Sequence, residues 1–141
     1  MTVDVTASSV DQIRKLLAQW MQADDSARDD EWLEECLDQN FSFTLRGQVF
    51  QGRAAVREMN STRHGARGVH ILSEPVIDID GDSARSVTAF TYFTVKPDGE
   101  YAIALVGTYD DKFLRDQAGR WWCVARSTSH LVPRDSVRSD G

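Results

Sequence analysis

The sequence predicts an α+β domain in which N-terminal helices pack against a long, curved antiparallel sheet. Apolar residues recur at helical spacing mainly near the N-terminus. Farther along, they alternate with polar residues, and turns containing glycine separate four long strand-like segments. Strands of about 10 to 15 residues exceed the usual length, so their sheet must coil. We therefore expect a cone-like half-barrel with the helices on its concave side.

Length and composition limit the number of domains and the class of partner. The 141 residues, 41% hydrophobic and 27% charged, predict a single domain over residues 1–132 and a polar tail over 133–141. A formal charge of −6 disfavours nucleic-acid and anionic membrane partners. No signal-peptide pattern and no membrane-spanning apolar run is present. Cys36 and Cys123 belong to no CxxC motif, which favours reduced thiols and a cytoplasmic location.

The helices are predicted from apolar spacing and from capping residues. Ser9 followed by Gln12 fits a capping box, so the first helix is expected to begin there and to run to about Ala23. Asp29 or Asp30 is expected to cap a second, short helix. The apolar stripe of the first helix consists of Val10, Ile13, Leu16, Leu17, Trp20 and Met21.

Most of the remaining chain is predicted to be strand. Alternation over residues 41–45 indicates a half-buried strand, Gly47 permits a turn, and Gly52 opens a short helix. Residues 61–68 are polar and are interpreted as a loop. Short turns make successive strands antiparallel neighbours. The later strands are predicted over 69–79, 84–95, 101–114 and 121–131, with turns at 80–82, 96–99 and 116–119.

Several kinds of site are disfavoured by the motifs that are missing. The sequence contains no GxGxxG, GxxxxGK[ST] or GxSxG pattern. His64, His70 and His130 lack the HExxH spacing and have no cysteine neighbours, so we expect neither a metal site nor a cofactor. A pocket for a small apolar molecule, between the helices and the sheet, remains as the expected site.

An aspartate and a histidine are the candidates for chemistry in that pocket. Asp24 falls inside the apolar stripe on an ideal helical wheel, and Asp25 falls at its edge. His70 opens a strand and faces opposite to its two apolar neighbours. A carboxylate beside an imidazole orients the ring and favours its protonated form, so such a pair can act as a general base. The residues alone leave two simpler interpretations open. In these, His70 is an ordinary surface histidine and Arg126 is one half of a surface ion pair.

A set of short motifs, taken in order, carries a family resemblance over residues 10–130. The motifs are Ile13-x-x-Leu16-Leu17-x-x-Trp20 running into Asp25, Phe50-x-Gly52-Arg53-x-Ala55-Val56-Arg57, His70, the segment 75–84, Gly107-x-Tyr109 followed by Arg115, and Gly119-Arg120-Trp121. With them the chain resembles the SnoaL-like branch of the nuclear transport factor 2-like superfamily. That branch includes polyketide cyclases, scytalone-type and bile-acid dehydratases, and hexachlorocyclohexane dehydrochlorinase.

The resemblance implies a cystatin-like curved sheet wrapped around helices, together with an Asp–His pair. Asp25, not Asp24, matches the aspartate of that pair, and His70 matches its histidine. Arg126 matches a pocket arginine that assists the leaving group. Trp20 departs from the tyrosine or lysine that relatives carry near this position. The residues expected around the pocket are Trp20, Met21, Asp24, Tyr92 and Tyr109.

The function implied is that of a cofactor-independent lyase or isomerase acting on a small, largely apolar, cyclic molecule. His70 would remove a carbon-bound proton, Asp25 would hold the imidazole, and Arg126 or a water would stabilise the departing group. A non-catalytic module for ligand binding or dimerisation is the alternative, and a carboxylate base of the ketosteroid-isomerase type is a third possibility. We also expect a homodimer or homotrimer, formed through an outer sheet face that carries Phe90, Tyr92, Trp121 or their neighbours.

Overall fold

The computed structural model describes residues 5–61 and 68–133 of the chain. The predicted tail from residue 134 onward, most of the 61–68 loop and His64 lie outside the described residues. None of the helices described is long and apolar enough to cross a membrane. In chain order the elements are α1 (Val5–Asp25), α2 (Asp29–Glu35), β1 (Leu37–Leu45), β2 (Gln48–Gln51), α3 (Arg53–Ser61), β3 (Gly68–Leu72), β4 (Val76–Asp80), β5 (Ser83–Val95), β6 (Tyr101–Arg115) and β7 (Trp121–His130).

The strands form one curved, unclosed sheet, which confirms the predicted α+β class. Their order is β2-β1-β7-β6-β5-β3, and β4 pairs with the first half of β5. The predicted antiparallel meander holds from β4 to β7. The pairing of β1 with β7 is parallel and was not predicted. No short turn joins these two strands, so nothing in the local sequence imposes an antiparallel direction.

The strand predicted over 69–79 is two strands. The chain leaves the ladder at Ser73–Pro75, where the proline has no N–H to donate to a neighbouring strand. Ser73 keeps both halves in register with β5, because its backbone N–H donates to Ala89 O at 2.9 Å and its Oγ accepts the Ala89 N–H at 3.0 Å. The break places His70 on a short edge strand of its own.

The predicted start of the first helix is wrong. The chain is already helical at Val5, and Ser9 is a buried residue inside α1 instead of its cap. The Ser9 Oγ accepts a hydrogen bond from Arg115 Nη1 at 3.5 Å. The capping box therefore does not form, because the hydroxyl faces the sheet.

The end of α1 lies two residues beyond the predicted Ala23 and positions Asp25. Arg28 N–H donates to Ala23 O at 2.8 Å and Ala27 N–H donates to Asp24 O at 3.1 Å, a Schellman arrangement. Ala27 adopts the left-handed conformation (φ 58°) that this arrangement requires. Arg28 then occupies the N-cap of α2, so the predicted aspartate caps are wrong: both aspartates lie in the first helical turn.

The helices pack on the inner, concave face of the sheet. Phe90 and Trp121, expected on the outer face, are only 3% and 2% exposed, because the register of β5 and β7 turns them inward. Tyr92 shares the inner face of β5 with Phe90, since the two are two residues apart. The large apolar side chains that strands β3 to β6 expose are instead Val69, Ile71, Val76, Val87, Tyr101, Ile103 and Leu114.

Candidate active site

Asp25 and His70 form a hydrogen-bonded pair between the end of α1 and the middle of β3. Asp25 Oδ1 lies 2.5 Å from His70 Nδ1, and Oδ2 accepts the backbone N–H of His70 at 2.8 Å. Only 7% of the His70 side chain and 10% of the Asp25 side chain are exposed. The carboxylate thus fixes both the strand and the ring, and His70 Nε2 lies on the ring edge away from Asp25.

The imidazole of His70 rests against aromatic rings of β5. Tyr92 is its cross-strand partner, with ring centroids 4.4 Å apart, and Phe90 follows at 6.1 Å. Gly68 makes room for this packing, because a Cβ at that position would lie 2.6 Å from Tyr92 Cζ. Tyr92 therefore stands beside the candidate base. Neither Tyr92 nor the Asp25–His70 pair lines the cavity between α1 and the sheet.

A small cavity lies between α1 and the sheet. Its volume is about 20 Å³, enough for one water molecule, whereas a cavity that binds benzene measures roughly 150 Å³. The predicted pocket residues other than Tyr92 do meet here, but this cavity as it stands does not hold a ring. Its lining consists of Trp20, Met21, Asp24, Trp32, Phe43, Val56, Met59, Asn60, Tyr109 and Arg126.

Arg126 is buried and paired, so its interpretation as half of a surface ion pair is wrong. Its Nε and Nη2 donate to the two carboxylate oxygens of Asp111 at 2.7 and 2.9 Å. The guanidinium lies between the rings of Trp20 and Tyr109, 3.6 and 3.7 Å from their centroids. Burial opposes the charge of Arg126, but Asp111 outweighs this effect and holds the pKa of Arg126 above its ordinary value. Burial also raises the pKa of Asp111, against the opposing effect of the guanidinium.

Sequence reasoning missed Asp111 and three hydroxyls of the inner face. Asp111 sits in a polar run of β6 that gives no sign of which residue points inward. The Oγ of Ser86 and the Oγ1 atoms of Thr88 and Thr128 are buried without a hydrogen-bond partner among the described residues. The β5–β6 register sets Ser86 opposite Asp111. The inner face therefore carries a polar belt around the ion pair.

Side chains that bind metal ions do not cluster in the part of the chain that the structure describes. Across residues 5–61 and 68–133, His, Cys, Asp and Glu side chains form no group of three or more suited to hold a metal ion.

The comparison with known families agrees with the curved sheet and the helices packed on it. A family model described as a SnoaL-like domain matches residues 5–127. The chain belongs to the SnoaL-like family. No curated protein is significantly similar to this SnoaL-like chain in sequence.

Solved structures share the fold of this SnoaL-like domain at low sequence identity. A protein of unknown function from Mycobacterium tuberculosis, solved as an Asp-to-Asn variant, is 24% identical, with a TM-score of 0.85 over 95% of this chain and 78% of that one. An NTF2-like protein with a cystatin-like fold from Novosphingobium aromaticivorans is 22% identical, with a TM-score of 0.74 over 92% and 86%. ActVI-ORFA from Streptomyces coelicolor is 14% identical, with a TM-score of 0.75 over 84% and 94%.

Proposed function

We propose that this SnoaL-like protein is a cofactor-independent lyase or isomerase that removes a carbon-bound proton from a small, largely apolar, cyclic substrate. His70 accepts the proton at Nε2. The observation that carries this proposal is the double contact of Asp25 with the backbone and the ring of His70. These two hydrogen bonds already hold the imidazole of His70 in its position on β3.

Asp25 selects the tautomer of the base. A carboxylate next to Nδ1 keeps the proton on that nitrogen, so the lone pair is on Nε2. Once Nε2 has taken a proton, the negative charge of Asp25 stabilises the imidazolium. A positioned base of this kind contributes roughly 10²–10⁴-fold in rate.

Arg126 stabilises the charge that develops on the substrate. Asp111 occupies Nε and Nη2, so Nη1 is the nitrogen that faces away from the ion pair. A fixed cation on the wall of a cavity stabilises a developing oxyanion or halide without reorganisation. Binding a ring that reaches His70 requires the cavity to widen toward that residue, which does not line it, and Met21 and Met59 on the wall are flexible side chains suited to this.

The test is turnover of hydroxylated and halogenated ring ketones by the wild type, His70→Ala and Asp25→Asn. Both variants are expected to lose about 10²–10⁴-fold in kcat. Asp24→Asn is the matched control for a neighbouring carboxylate outside the His70 pair, and its loss is expected to be smaller. Equal turnover by the wild type, His70→Ala and Asp25→Asn contradicts the proposal. A carboxylate base of the ketosteroid-isomerase type would instead survive His70→Ala but not Asp25→Asn.

A non-catalytic binding or assembly module is the second candidate, and the cavity of about 20 Å³, which holds no ring as it stands, favours its assembly form. Trp20 favours it as well, since an indole offers only an N–H where relatives carry a tyrosine or lysine. Titration of the histidine signals by NMR separates the candidates. A His70 signal that is insensitive to Asp25→Asn favours the binding module.

Self-association is a further part of the proposal. The apolar side chains exposed on the sheet suit a homodimer or a homotrimer, because a patch of this kind is unusual on a monomer. Sedimentation over a range of concentrations tests this, and a monomer mass at every concentration contradicts it. We also propose a cytoplasmic location, in keeping with Cys36 and Cys123, which are free thiols.

A further inference from the structure

His130 lies on the same inner face of the sheet as the candidate catalytic residues. Side chains alternate along a strand, so Arg126, Thr128 and His130 of β7 point to the same side. The strand register sets His130 opposite Gly107 of β6. Its imidazole meets the ring of Phe90 edge-on, with centroids 6.3 Å apart and the planes at 71°.

Phe90 brings His130 into the neighbourhood of the Asp25–His70 pair. The same phenyl ring lies 6.1 Å from the imidazole of His70, so two imidazoles flank one aromatic ring. Phe90 is held there by stacking on Tyr109, with centroids 4.2 Å apart and an interplanar angle of 8°. Tyr109 lines the cavity and stacks on Phe90, so a cavity that widens past Tyr109 would bring a ring substrate between the two histidines.

Gly107 permits this arrangement. A Cβ at position 107 would lie 3.0 Å from Phe90 Cε1 and 2.1 Å from the carbonyl oxygen of Ser129. Any side chain there would push either the phenyl ring or the end of β7 that carries His130. The glycine therefore lets both aromatic groups lie close against β6.

We propose that His130 is a second acid–base residue of this site, which protonates a leaving hydroxyl while His70 removes the carbon-bound proton. This inference rests on the proposed function and narrows the substrate to a hydroxylated ring. The C–H electron pair becomes the new C=C bond, the C–O electrons stay with oxygen, and the proton from His130 completes a water molecule. His70 leaves the step protonated and His130 neutral, and proton exchange with solvent restores both.

Arg126 is unsuited to this proton transfer. Asp111 binds its guanidinium through two hydrogen bonds and holds the pKa of Arg126 above its ordinary value, so Arg126 keeps its proton. Hydroxide is a poor leaving group without a proton, whereas chloride departs as a stable anion. A protonated imidazole is thus useful for dehydration and dispensable for loss of chloride. Thr128, whose buried hydroxyl lacks a partner among the described residues, stands between Arg126 and His130.

The test compares 3-hydroxycyclohexanone with 3-chlorocyclohexanone, which both eliminate to the same enone. His130→Asn is expected to lower kcat for the hydroxy compound by about 10²-fold or more and for the chloro compound by less than about 3-fold. His70→Ala is expected to lower both. Ser129→Ala, an exposed neighbour on the outer face, is the control and should lower neither.

The outcomes separate this inference from the proposed function. An equal loss for both ketones in His130→Asn, or no loss for either, overturns the acid role of His130. No loss in His70→Ala overturns the proposed function instead. When the wild type turns over neither ketone, titration with 2-naphthol decides by NMR. Shifts of both the His70 and His130 imidazole signals support a shared site, and an unmoved His130 signal overturns it.

Discussion

Two carboxylates each pair with a nitrogen-bearing side chain on the inner face of one sheet, and the two pairs differ in what surrounds them. Asp111 and Arg126 have side chains 0% and 1% exposed, and the guanidinium is covered by aromatic rings on both faces. Asp25 and His70 are 10% and 7% exposed. We refer to the first pair as the closed end of the cone and to the second as the open end.

The chemistry of the group that each carboxylate binds gives the two pairs different roles. Arginine does not give up its proton at accessible pH, so the closed end is a permanent charge pair that contributes to the fold and to a fixed electrostatic field. The imidazole of His70 has two ring nitrogens, and only one of them faces Asp25. The open end therefore retains a group that can take up a proton.

The largest effect is expected at the closed end. Asp111→Ala leaves the buried guanidinium of Arg126 without its partner and should lower the free energy of unfolding by about 3–5 kcal/mol in urea denaturation. Asp110→Ala is the matched control, since Asp110 pairs with Arg85 at side chains 40% and 58% exposed. That control should cost less than about 1 kcal/mol. Equal losses for the two variants would remove the distinction between buried and exposed pairs.

A smaller loss of stability is expected from a change at Gly107, which packs against Phe90 beside the open end. Gly107→Ala places a methyl group against Phe90 and the Ser129 carbonyl, so we expect the free energy of unfolding to fall by about 1–3 kcal/mol. Thr108→Ala, at the next and exposed position of β6, serves as the control. Unfolding curves that coincide for the two variants would show that the close approach at Gly107 is not needed.

A stabilising change is expected next to Asp25. Ala27→Gly relieves the left-handed backbone conformation at φ 58° and should raise the free energy of unfolding by about 0.5–1 kcal/mol, seen as an increase in Tm. Ser26→Gly, one residue earlier, lacks this benefit and should give no increase. A Tm that falls in Ala27→Gly would contradict the strain assigned to this helix end.

No reaction at all is expected from the thiols near the closed end. Cys36 and Cys123 are fully buried, and burial raises the pKa of Cys36 from 9.0 to about 12. At pH 8 a disulfide reagent should react with no thiol of the native protein and with two thiols of the protein unfolded in denaturant. The unfolded chain ionises near pH 9 while the folded chain stays protonated, so the contribution of Cys36 to stability is present below pH 9 and is lost as the pH rises toward 12. Rapid labelling of the native protein would contradict a dry closed end.

The sequence predicted the fold because apolar periodicity and turn residues report on local structure. The helical wheel placed Asp24 toward the interior, and the structure puts it on the cavity wall. The resemblance pointed to Asp25, and the structure puts Asp25 on His70. Both aspartates therefore face inward, toward different groups, which is why a choice between them from spacing alone was not possible.

The direction of side chains on the strands could not be predicted from the sequence, because it depends on strand register. Phe90 was expected on the outer face, and a shift of one residue in register reverses every side chain of a strand. The bulge in the β6–β7 pairing between Lys112 and Phe113 cannot be seen in the sequence, and it determines that Asp111 meets Arg126. His130 follows a run of serine and threonine without an apolar pattern, so only its contact with Phe90 shows where it points.

The most direct test measures activity and stability together in Asp25→Asn and Asp111→Asn. The account predicts that Asp25→Asn loses about 10²-fold or more in kcat/KM on a hydroxylated ring ketone while its free energy of unfolding changes by less than about 1 kcal/mol. Asp111→Asn should show the reverse order, with stability as its main loss. Unchanged kcat/KM in Asp25→Asn, or a loss there that follows its unfolding, would contradict the assignment of chemistry to the open end.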